Sequence, residues 1–105
     1  MRLYSITVSL DENGFDVNIM HSEVLSYDKN GQCKVGRFGY TTSFNSSELD
    51  KYKTGLMSSK TPSLSVETIG KERIDEYIVE MKKMIREELL DRLNRTQSQL
   101  DSIES

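Results

Sequence analysis

The stretch with the most chemical potential is Gly36-Arg37-Phe38-Gly39-Tyr40. Its two glycines bare the backbone, Arg37 offers five N–H donors to a phosphate or carboxylate, and Phe38 and Tyr40 offer faces for stacking. With basic residues such as Lys82 and Arg86 further along the chain, this set could hold a small anionic ligand or a nucleotide, with the site formed within one chain or at a subunit interface. It lacks the glycine spacing and the lysine of a P-loop. The competing structural account is a bent strand with Phe38 in the core and Arg37 in water.

Other reactive side chains are few. His21 is the only histidine, and with Glu23 two positions on it could move a proton. No Gly-x-Ser-x-Gly elbow accompanies the many serines. One cysteine, Cys33, excludes an intramolecular disulfide and a cysteine-based zinc site. The carboxylates follow no metal-loop spacing. We therefore expect no catalytic residues, no metal and no cofactor.

Composition sets the scale. The chain has 105 residues, 35% hydrophobic and 30% charged, which fits one domain with one modest core. Its net charge of −3, with both signs interspersed, makes nucleic acid an unfavourable partner. No apolar run approaches the length of a membrane span, and the alternating start does not read as a signal peptide. A lone cysteine suits a reducing compartment, so a soluble, cytoplasmic protein is expected.

The elements that must position these residues follow from periodicity. Leu3 to Leu10 alternates apolar and polar residues, as a strand with one buried face does. The turn Asp11-Glu12-Asn13-Gly14 leads into Phe15, Val17 and Ile19, again alternating, and predicts an antiparallel hairpin. The phase changes around Met20-His21, which predicts either a bulge or two strands. A second Asn-Gly turn, Asp28 to Gly31, precedes a third strand region reaching Phe44, bent at Gly36 and Gly39. Residues 1–44 thus form a β-meander. Residues 45–62 predict a mobile loop with one helical turn capped by Ser46 or Ser47, and residues 63–69 a fourth strand.

Residues 71–104 predict one long helix. Ile74, Ile78, Met81, Ile85, Leu89, Leu93, Leu100 and Ile103 recur at helical spacing, and no Gly or Pro interrupts them. The fold class expected is α+β, a small antiparallel sheet of three to four strands against this helix. A helix of about 50 Å exceeds a body roughly 28 Å across, so its second half must break, fray or find a partner. Leu89, Leu93, Leu100 and Ile103, with Thr96, follow the 4-3-4-3 rhythm of a coiled coil and mark an oligomer interface.

Two functions follow as expectations. The first is a small non-enzymatic binding protein that acts through protein–protein contacts, oligomeric through its helix. The alternative is a nucleotide- or ligand-sequestering protein built on Arg37, Phe38, Tyr40, Lys82 and Arg86. In size and texture the chain is similar to small accessory proteins of phages and mobile elements, a likeness that no motif carries.

Overall fold

The computed structural model describes residues 1–55 and 62–104. Its strands are β1 (Arg2–Asp11), β2 (Gly14–Tyr27), β3 (Gln32–Arg37), β4 (Tyr40–Asn45), β5 (Lys53–Thr54) and β6 (Ser63–Thr68). The helix α1 (Ile74–Glu104) follows a 3-10 turn at Lys71–Arg73. All six strands form one antiparallel sheet in the order β4-β3-β2-β1-β6-β5. The class is α+β as expected, but the sheet has six strands rather than three to four.

Both added strands have physical causes. The expected third strand is two, because the chain reverses at Phe38-Gly39 and sets Tyr40 beside Arg37. The two-residue β5 lies in the stretch expected to be loop and joins the sheet by pairing Lys53 with Ser65 and Thr54 with Leu64. The rest of that expected loop divides. Ser46–Glu48 forms a 3-10 turn whose cap is the Asn45 side chain, not a serine, and residues 56–61 lie outside the described residues.

The two Asp-x-Asn-Gly turns use one device. Asp11 Oδ1 accepts the Asn13 amide at 2.8 Å, and Asp28 Oδ1 accepts the Asn30 amide at 3.0 Å. Each aspartate side chain thereby closes its own turn. Between these turns β2 runs as one strand, and its register slips at Leu25, between Val24 and Ser26. Pairing with β1 is unbroken through Met20 and His21, so the phase change read there is neither a bulge nor a strand break: β2 packs Val17 on the α1 face and Val24 on the opposite face, and the bulge comes later, at Leu25.

The sheet curls into a half-barrel, and the short connection between its edges favours the curl. β4 and β5 are opposite edges, about 24 Å apart in a flat sheet of this width. The connection between Asn45 and Lys53 spends part of its length in a 3-10 turn, leaving a reach of roughly 22–24 Å with the remainder fully extended and no slack to cross a flat sheet. It is tied at both ends. The Ser46 amide donates to the Gly31 carbonyl at 2.9 Å, its hydroxyl to the Asp28 carbonyl, and the Asp50 amide donates to the Glu67 carbonyl at 2.7 Å.

Strand alternation places cores on both faces of the sheet. Ile6 and Val8 of β1 share a face with Leu64 and Val66 of β6, and α1 covers it with Tyr77, Met81 and Ile85. Leu3 points the other way, with Ser5, Thr7 and Ser9. It is fully buried there with Cys33, Val35 and Leu49, and Leu49 comes from the crossing connection. Each fully buried side chain of this kind contributes roughly 1.5–3 kcal/mol.

α1 is continuous past Asn94 and contacts β1 and β6. At 31 residues it is about 46 Å long. Beyond Leu89 none of its described side chains is buried, and the molecule measures 61 × 28 × 24 Å. The sheet is too narrow for the helix, and the half from Leu90 on projects clear of it.

Candidate functional site

The β3–β4 hairpin turns on two residues with positive φ, Phe38 at 50° and Gly39 at 80°. That is the geometry of a tight hairpin whose first central position favours Asn, Asp or Gly. Phe38 sits there at 88% exposure, so its ring contributes little packing to offset the backbone cost. The left-handed conformation disfavours an L-residue by roughly 1–2 kcal/mol. Phe38→Asn is expected to raise the unfolding free energy by about 1 kcal/mol, read as a higher urea midpoint with an unchanged slope.

Arg37 precedes this turn and lies across the sheet face opposite α1. Its Nε donates to Ser22 Oγ at 2.6 Å on β2, and Nη2 donates to Ser5 Oγ at 3.1 Å on β1. Two serines on neighbouring strands therefore orient the guanidinium and leave further N–H donors unused. Among the described residues no carboxylate pairs with it. The adjoining cleft, about 260 Å³, is lined by Met20, His21, Ser22, Glu23, Gly36, Arg37 and Phe38.

This arrangement reverses the structural account of the glycine-rich stretch. Phe38 is in water and Arg37 is half-buried. Ser5 and Ser22 belong to the site, and the sequence marks them only as polar members of alternating strands. Tyr40 is 77% exposed beside Arg37 on β4.

Lys82 and Arg86 are elsewhere. Lys82 Nζ lies 5.5 Å and Arg86 Cζ 5.3 Å from the centre of the Phe15 ring. Phe15 pairs with Leu10 on the face that α1 covers, so both cations stand on the opposite side of the sheet from the Arg37 guanidinium. One chain does not assemble the five expected ligand residues into one site. Each cation–π contact contributes about 0.5–1 kcal/mol in an exposed setting.

His21 is exposed on β2, with its ring 6.5 Å from Tyr4 on β1. Cys33 is buried, and burial, with the Glu67 carboxylate adding, pushes its thiol above the ordinary range and away from the reactive thiolate. Among the described residues no group of His, Cys, Asp or Glu could hold a metal ion. Among the described residues no helix is long and apolar enough to cross a membrane.

The second candidate surface is the projecting half of α1. Leu90, Leu93, Leu100 and Ile103 are 59%, 65%, 48% and 82% exposed, while Leu89 is half-buried at the edge of the core. Arg86, Leu89, Leu90 and Leu93 line a shallow apolar groove of about 310 Å³ where the helix leaves the sheet. Charged pairs surround the stripe, with Arg92 bonded to Glu88 at 3.2 Å and Arg95 to Asp91 at 3.0 Å. Exposed pairs of this kind are worth only a few tenths of a kcal/mol, so the apolar stripe dominates what this surface can do.

The chain matches no protein-family model, no curated protein and no solved structure.

Proposed function

We propose that this is a small, non-enzymatic, cytoplasmic interaction protein that works as a homo-oligomer, with the projecting half of α1 pairing with the same half of a second copy. The observation that carries the reading is the run of exposed leucines and isoleucine on a continuous helix that has left its own sheet. A free stripe this short is marginal as an isolated coiled coil. Here the first half of α1 is already fixed by Tyr77, Met81 and Ile85, so the helix is nucleated before it meets a partner. Leu89, Leu93, Thr96, Leu100 and Ile103 supply the seam.

Sedimentation equilibrium tests this. The wild-type chain is expected to self-associate. Leu93→Glu/Leu100→Glu is expected to weaken that association by at least roughly a thousandfold, since the seam loses both leucines from each copy and each buried leucine is worth about 1.5–3 kcal/mol. The melting temperature of the isolated subunit should not fall, because both side chains are exposed in the single chain. A wild-type chain that stays monomeric at high micromolar concentration contradicts the proposal.

The alternative, a nucleotide-sequestering protein of phage or mobile-element type, draws less support. Arg37 stands in its cleft without Lys82 or Arg86. The cleft's volume of about 260 Å³ falls below the roughly 300–1,000 Å³ of small-molecule sites.

A further inference from the structure

β2 is longer than the strand beside it. β1 pairs with it from Gly14 to Glu23, while β3 pairs only from Glu23 to Tyr27. From Gly14 to Ser22 the outer edge of β2 therefore has no paired strand among the described residues. The direction of its backbone groups follows from two bonds. The Val24 amide donates to the Met1 carbonyl and so points toward β1, and the Leu10 amide donates to the Pro62 carbonyl and so points away from β2. Antiparallel strands alternate these directions. Asp16, Asn18 and Met20 therefore bond to β1, and Phe15, Val17, Ile19 and His21 turn their N–H and C=O groups outward.

Along this edge Asp16 is the one charged residue, and the edge otherwise carries little of the usual protection. It contains no lysine, no proline and no bulge, and Ile19 and Met20 are 43% and 46% exposed on its two faces. The outer edge of β4 is also unpaired among the described residues, but between Tyr40 and Phe44 it offers only Thr41, Thr42 and Ser43.

We propose that the open edge of β2 pairs antiparallel with the same edge of a second copy, forming one sheet across a two-fold axis. The outward groups are self-complementary. With the axis through Val17, Phe15 is set against Ile19 of the second copy. The turn from Asp11 to Gly14 of the second copy then comes up to the cleft at Arg37. Its acids, Asp11 and Glu12, supply the negative charge that Arg37 lacks within one chain. Such an interface is isologous, so each copy gives and receives the same contacts, and Arg37 is completed twice. The contact uses none of the helix stripe and is independent of the helix reading.

The experiment is made in the full-length Leu93→Glu/Leu100→Glu background, so that helix pairing and edge pairing are read separately. Amide hydrogen exchange is followed residue by residue at low and high micromolar concentration. The Phe15, Val17 and Ile19 amides are expected to gain protection as concentration rises, while Asp16 and Asn18, already bonded to β1, keep theirs. Ile19→Pro removes an outward donor without touching the β1 ladder and should abolish the gain. Ile19→Lys sets a cation against Phe15 of the second copy, which already carries Lys82 and Arg86, and should weaken the association at least roughly tenfold should the proline variant fail to fold. Outward amides that exchange equally fast at both concentrations, or a dimer insensitive to Ile19→Lys, overturn the proposal.

Discussion

Met81→Ala is expected to lower the unfolding free energy by about 3 kcal/mol. Met81 is fully buried, and its cluster joins Ile6 and Val8 of β1 to Leu64 and Val66 of β6. α1 rests on these two neighbouring strands, so the side chain sits where the helix meets both. Truncation removes transfer free energy and leaves a cavity that strands held in a hydrogen-bonded ladder cannot close. A domain of this kind has about 5–15 kcal/mol in total, so the variant should show a clearly lower urea midpoint at unchanged slope. Met81→Leu, which nearly conserves volume, should cost less than about 1.5 kcal/mol. Leu93→Ala, exposed on the same helix, should change the stability of the isolated subunit by no more than about 0.5 kcal/mol.

This contrast along one helix is legible in the sequence, because it rests on length. Apolar spacing alone extends from Ile74 to Ile103, and only the comparison with the size of the body separates the half that packs from the half that projects. β1 and β6 were legible for a related reason: alternation with one buried face leaves a strong period of two. The β3–β4 hairpin was not. Its first turn position holds Phe38 instead of Asn or Gly, so the residue type argued against the conformation the chain adopts. β5 is too short to carry any period.

The candidate site failed to assemble for a different reason. Whether Arg37 meets Lys82 depends on which face each occupies. For Arg37 that is set by its register against β2 and β4, and the bulge at Leu25 shifts that register. No local pattern reports a bulge before the pairing is known. Leu3 shows the same limit from the other side. It opens a polar face and is buried because Leu49, distant in sequence, crosses over it.

The crossing connection also makes the fold sensitive to alkali. Tyr77 donates its hydroxyl to Asp50 Oδ1 at 2.6 Å, and Tyr52 donates to Glu80 Oε2 at 2.8 Å. The two rings meet edge to face at 5.7 Å. Burial pushes both phenols above their ordinary value, and the carboxylates they face add to it. For Tyr77 the nearby Arg73 guanidinium partly opposes this. In the unfolded chain a tyrosine loses its proton near pH 10. Above that pH the unfolded state has released protons that the folded state still holds, so stability falls as pH rises. The contribution is complete below about pH 10 and is lost progressively as pH climbs toward the raised folded-state values. Thermal melts at rising pH should therefore show a steep decline beginning near pH 10. Tyr52→Phe removes one of the two protons and should make the decline shallower, at the cost of the Glu80 hydrogen bond at neutral pH. Asp50→Asn keeps an acceptor for the Tyr77 hydroxyl but removes the charge that opposes its ionisation. It should also make the decline shallower, while leaving the neutral-pH melt closer to wild type than Asp50→Ala, which strands the buried hydroxyl without its partner. A decline of equal steepness in wild type and in Tyr52→Phe/Tyr77→Phe would mean that other groups carry the alkaline transition and that the bridge from the crossing connection to α1 is not its cause.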